Sequence, residues 1–154
     1  MTMRNAKEAL DALAAKIGLP GLKFGKDNAC ELIVGEDLEV QIEDMGEGGL
    51  IRLNAAVRDM AGTDAAVLRD LLTANFNGMG TGKAALSVNP ATSEIVLTQP
   101  VEATRHDAAS FVAEVDLFVR YAGFWREHAA GMTAGAEDAA PTIPMGSEEV
   151  TIRL

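Results

Sequence analysis

Apolar and polar positions along this chain repeat in two different periods, and the switches between them divide it into elements. Near the N-terminus Leu10, Leu13, Ala14 and Ile17 recur on one helical face. Asn5, with Glu8 three residues on, makes a capping-box-like start. Gly18 ends this helix and Pro20 prevents its resumption. Leu19, Leu22 and Phe24 follow in a short extended link. The period then shortens to two. Cys30 to Val34 reads as a first strand, and Gly35-Glu36 turns it into a second. There Leu38, Val40 and Ile42 alternate with Glu39, Gln41 and Glu43, a pattern that buries one face and leaves the other in water. After a glycine-rich loop from Asp44 to Gly49, Ile51, Leu53, Ala55 and Val57 mark a third strand.

The helical period returns after Thr63 and Asp64, either of which serves as N-cap, with Asp64 near the positive end of the helix dipole. Leu68, Leu71, Leu72 and Phe76 form one apolar face. Asn77-Gly78 stops the helix, because glycine accepts the left-handed geometry of a C-cap. A glycine-rich turn then leads into a hairpin. Ala84, Leu86 and Val88 alternate with Ala85 and Ser87, Asn89-Pro90 opens a turn, and Ile95 and Leu97 alternate in the second strand. Thr104 precedes a long helix from about His106 to His128. Phe111, Val115, Phe118, Ala122 and Trp125 form one stripe on it, and Leu117, Tyr121 and Phe124 a second beside it. A helix this apolar is covered on more than one side, which predicts the main core helix, lying across the sheet.

The order α-β-β-β-α-β-β-α, with short turns inside each group of strands, predicts an α+β domain with helices packed on an antiparallel five-stranded sheet. That domain spans residues 1–131. Residues 132–145 are rich in Ala, Gly, Thr and Pro without an apolar period, and 132–154 reads as a flexible tail. Its end differs: Val150, Ile152 and Leu154 alternate with Thr151 and Arg153. Tethered apolar strands are seldom left in solvent, so Glu149 to Leu154 is expected to dock on a sheet edge of its own chain or a neighbour's.

Charge and composition narrow the partners. The formal charge is −10 and the pI about 4.6, which argues against nucleic acid and against anionic membrane surfaces. No apolar run reaches the roughly 18 residues of a membrane span, and Glu8, Asp11 and Lys16 interrupt any signal peptide, so a soluble, cytoplasmic protein is expected. Acids crowd Glu31 to Glu47 without a Lys or Arg, which a solvated strand face explains first and a patch for basic cargo second. The single cysteine, Cys30, excludes an intrachain disulfide and reads as a small core residue rather than a nucleophile.

Candidate chemistry is sparse. The segment Gly78 to Lys83 lacks the spacing of a phosphate loop: Asn77 stands where glycine is needed, Ala84 where Ser or Thr is needed, and a helix precedes it. His106 and His128, bracketing one helix, lie roughly 33 Å apart by its rise and cannot share a metal. No Cys/His cluster suits zinc, and Asp37, Asp44 and Glu47 do not match a calcium loop. Ser87, Ser93 and Ser110 lack a nucleophile signature. No cofactor, metal or catalytic residue is expected, although acids are plentiful enough that a pair assembled in space stays open.

The segment LLTANFNG, its glycine-rich turn and the following KAALSVNPATSEIVLTQ resemble the middle of the Tir-chaperone (CesT-like) family, the small class I chaperones of bacterial type III secretion. The element order is also that of the family, and the resemblance covers about Asn5 to His128. It implies a homodimer that binds the N-terminal segment of a secreted effector in extended form and keeps it ready for export, with no chemistry and no ATP. It places Leu10, Leu13, Ile17, Leu22, Phe24, Leu32, Val34, Leu38 and Val40 in cargo-facing patches. It places Leu68, Leu71, Leu72, Asn75, Phe76, Leu86 and Val88 at the dimer interface. Both sets compete with a monomer core. The other readings are a small α+β enzyme or ligand-binding domain, which needs an enclosed pocket, and an adaptor docking a secretion ATPase.

Overall fold

The computed structural model describes residues 1–46, 48–131 and 150–152. Helix α1 spans Ala6–Ile17, and the strands β1 (Ala29–Val34), β2 (Leu38–Asp44) and β3 (Leu50–Asp59) follow. Helix α2 (Ala65–Asn75), strands β4 (Ala85–Asn89) and β5 (Glu94–Glu102), helix α3 (Ala108–Gly131) and a short β6 (Val150–Ile152) complete the order. The five expected strands form as an antiparallel sheet, and part of the tail segment expected to dock on a sheet edge joins it. The tail adds β6, giving the spatial order β4-β5-β3-β2-β1-β6. The linker expected over 132–145, and Glu149, Arg153 and Leu154, lie outside the described residues.

Each helix begins where a side chain satisfies its first amides. Asn5 caps α1, its side chain accepting from the Glu8 amide at 2.9 Å. The Glu8 carboxylate accepts from the Arg4 amide at 2.8 Å, one residue before the position that a capping box would use. The Arg4 guanidinium holds that carboxyl below its usual range. Asp64, not Thr63, caps α2, accepting from the Val67 amide at 2.9 Å. The last long helix starts later than the sequence predicts. Ala103–Arg105 form a 3-10 turn, and Asp107 and Ser110 then cap each other. The Ser110 amide donates to Asp107 at 2.8 Å, and the Asp107 amide donates to the Ser110 hydroxyl at 3.1 Å. Those bonds from Ser110 lower the Asp107 carboxyl below its ordinary value.

The alternation of each strand becomes a one-sided sheet. Leu32, Val34, Leu38, Val40, Ile42, Ile51, Leu53, Ala55, Ile95 and Leu97 are buried on the inner face. The core stripe of α3, Phe111, Val115, Phe118, Ala122 and Trp125, is buried too. At about 25 cal/mol per Å² of apolar surface, the Val, Leu, Ile and Phe side chains among them contribute about 1.5–3 kcal/mol each. The outer face carries a polar cross-strand row in which the Thr98 hydroxyl donates to Asn54 at 2.8 Å and Arg52 pairs with Glu43 at 3.4 Å. The acids of β2 therefore belong to a solvated face. Cys30 is buried, and that burial, with Glu31 adjacent, pushes its thiol above the ordinary value, away from nucleophilic use.

The glycine-rich turn between α2 and β4 locks the sheet's end to α3. A Cβ on Gly80 would lie 2.9 Å from the Ala74 Cβ and 3.2 Å from the Trp125 ring. The Trp125 indole N–H donates to the Gly80 carbonyl at 2.8 Å. Gly82, at φ +61, lies against Tyr121 with no room for a side chain. These glycines serve close packing of backbone on aromatic rings. Lys83 adds an ion pair to Glu114 of α3, whose second oxygen accepts from the buried Gln99 at 3.1 Å.

Candidate functional site

Helix α2 carries two apolar stripes where the sequence suggests one. Val67 and Leu71, four residues apart, are buried toward the core. Leu68 is half-buried, and the stripe continues outward through Leu72, 69% exposed, and Phe76, 65% exposed. Met79, after the 3-10 turn Phe76–Gly78, extends it at 75%, and Val88 on β4 lies bare at 47%. Leu86 is buried. The large apolar side chains left exposed in the described domain thus concentrate on α2, the turn after it and β4. Scattered exposed apolar residues are ordinary, but a concentration of this kind marks a contact surface. Sequence reasoning missed Met79, because the glycines around it read only as a turn.

The two ends of the sheet are treated differently. β4 is an edge strand, and an edge leaves backbone groups open to another chain. At its centre that opening is closed. The Asn75 side chain accepts from the Leu86 amide at 2.7 Å and donates to the Leu86 carbonyl at 2.8 Å. Asn75, placed by the family resemblance at the dimer interface, has its amide engaged by its own β4. Replacing Asn75 by alanine leaves both Leu86 groups without these partners. It is expected to lower stability by about 1–3 kcal/mol, read as a reduced urea midpoint. An unchanged midpoint would show that water replaces the amide at no cost.

At the other end, β1 pairs with β2 on one side and with β6 on the other. The residues implied to face cargo divide by burial. Leu10, Leu13, Leu22, Leu32, Val34, Leu38 and Val40 are buried in the core of this chain. Ile17 and Phe24 are half-buried at its margin. Arg126 of α3 clamps the β1–β2 turn, bonding the Asp37 carbonyl and, at 2.8 Å, its carboxylate. That contact joins residues far apart in sequence and left no local signal.

Chemistry has little foothold among the described residues. No group of His, Cys, Asp and Glu there is arranged to hold a metal ion. His128 stacks on Phe124 with ring centroids 5.1 Å apart, and the His106 ring meets the Ser110 hydroxyl at 3.3 Å. Among the described residues no helix is long and apolar enough to cross a membrane. What the molecule offers is surface: an apolar α2–β4 face, and a sheet whose β1 end takes an added strand.

A helix-on-sheet domain with an apolar exterior face and a strand-accepting sheet end offers surface for contact with other protein chains. The chain is a member of the Tir chaperone protein (CesT) family, whose model matches residues 8–126. Solved structures share the fold. The ExsC–ExsE complex aligns with a TM-score of 0.67 at 20% identity, covering 81% of this chain and 96% of that one. The HopA1–SchA chaperone–effector complex aligns at 0.66 and 14% identity, covering 79% and 92%. The Yersinia pestis type III secretion chaperone SycH, in complex with a stable fragment of YscM2, aligns at 0.60 and 12% identity, covering 77% and 98%. Curated proteins give no match to the sequence.

Proposed function

We propose that this chain is a type III secretion chaperone that binds the N-terminal segment of an effector in extended form and keeps it soluble and competent for export. The observation that carries this reading is the family match across residues 8–126. The structural neighbours named as chaperone–effector or chaperone–partner complexes support it. The physical route is strand addition, in which backbone hydrogen bonds supply affinity and alternate apolar side chains supply register. Such binding is stoichiometric and requires no catalytic group, nucleotide or metal. Its site of action is the bacterial cytoplasm, before export.

The working unit in this proposal is a homodimer joined through Leu68, Leu72, Phe76, Met79 and Val88. The exposure of Leu72, Phe76, Met79 and Val88 in the single chain, with Leu68 half-buried, supports that assignment. Ile17 and Phe24 are the cargo contacts retained from the larger set, because half-buried side chains at the margin of the core are still reachable. Leu32 and Val34 act through the backbone of β1. The function is tested by affinity purification from a bacterium carrying a type III apparatus, with mass spectrometry of the bound proteins. An effector should be retained, and deleting its N-terminal segment should release it. Retention that survives that deletion would contradict the reading.

A further inference from the structure

Val150–Ile152 of this chain already lie along the outer edge of β1, antiparallel, with Val150 opposite Val34, Thr151 opposite Ile33 and Ile152 opposite Leu32. Building on the chaperone reading above, we propose that β6 is a displaceable occupant of the edge that receives the effector segment, so that the chain's own C-terminus sets the threshold for capture.

The choice of edge comes from the other end of the sheet. On β4 the Asn75 side chain takes both backbone groups of Leu86, while β1 offers its outer backbone to an added strand. The sequence of β6 carries the recognition pattern. Val150 and Ile152 sit opposite Val34 and Leu32, two positions buried on the inner face, and the polar Thr151 separates them. An incoming segment needs the same apolar–polar–apolar order to take the same register. The pairing is short, covering three positions, below the usual strand length of about 5–6 residues, so it can be exchanged for a longer partner. Residues 132–149 join β6 covalently to α3, so its local concentration is independent of protein concentration and on the order of millimolar. If β6 itself has an intrinsic Kd of ~100 μM for the open edge, an extended ligand binds about tenfold more weakly than to an open edge.

The test uses the full chain and the variant Thr151→Pro/Ile152→Pro. Successive N–H groups of a strand point to opposite sides, so one of the two that proline removes faces β1 whichever way the ladder is phased. Two readings are taken: amide hydrogen exchange at Leu32, Ile33 and Val34, and binding of a labelled peptide with the sequence of residues 147–154. The variant should exchange at least one of these amides about tenfold faster and bind the peptide about tenfold more tightly than the unaltered chain. Identical exchange would overturn the proposal by showing that β6 does not hold the edge. Equal peptide affinity, or no peptide binding by the variant, would overturn it by showing that the edge is not competed. No effector takes part, so a chain that passes this test yet retains no effector contradicts the chaperone reading and leaves the β6 contact standing.

Discussion

Replacing Trp125 by alanine is expected to remove about 3–5 kcal/mol of folding stability, a large share of the roughly 5–15 kcal/mol that a domain of this size possesses. The side chain is 4% exposed, its N–H is bonded to the Gly80 carbonyl, and its ring sits edge-on to Phe124 at 5.3 Å. Removing it opens a cavity between α3 and the glycine turn and leaves the Gly80 carbonyl without that donor. Trp125→Phe keeps much of the volume but loses the N–H, and should cost markedly less. Urea unfolding followed by circular dichroism separates the two, since Trp125 is the one tryptophan and its fluorescence goes with it. A loss below about 1 kcal/mol for the alanine variant would mean that the end of α3 is not held by the turn.

The second large effect concerns assembly. The unaltered chain is expected to be a dimer at tens of micromolar, as an order of magnitude for stable assembly. The variant Leu72→Asp/Phe76→Asp is expected to be a monomer with its helix signal intact. Both side chains are mostly exposed in the single chain, so the charges cost the monomer little, within about 0.5 kcal/mol for ordinary surface sites. In a buried apolar interface the same charges are desolvated and repel their symmetric copies. Light scattering that gives a monomer for the unaltered chain would contradict the dimer, and a dimer for the variant would move the interface elsewhere.

The elements were legible because their signals are local. Asn5 and Gly18 bound α1, the alternation from Leu38 to Ile42 gave β2, and the stripe from Phe111 to Trp125 gave α3. Features set by tertiary packing were not. Leu71 and Leu72 are neighbours on an apolar helix, and only the packing of the helix in the fold separates Leu71, buried, from Leu72, exposed. Periodicity placed Leu13 and Val40 on an inner face but could not say whether a groove left them open, and here they are core. The strand character of Val150–Ile152 was visible in its alternation, yet its partner β1 lies more than a hundred residues away in sequence. Asn75 drew notice within its helix, but its role depends on Leu86, eleven residues on.

The central claim is that this fold captures an effector by its N-terminal segment, and calorimetric titration of the chain with that segment of a co-purified effector tests it most directly. Saturable binding without nucleotide, with the segment's amides protected in an extended pattern and no binding by the effector lacking it, is the predicted result. Binding that requires nucleotide, or that follows the effector's remaining domain instead of its N-terminal segment, would contradict it.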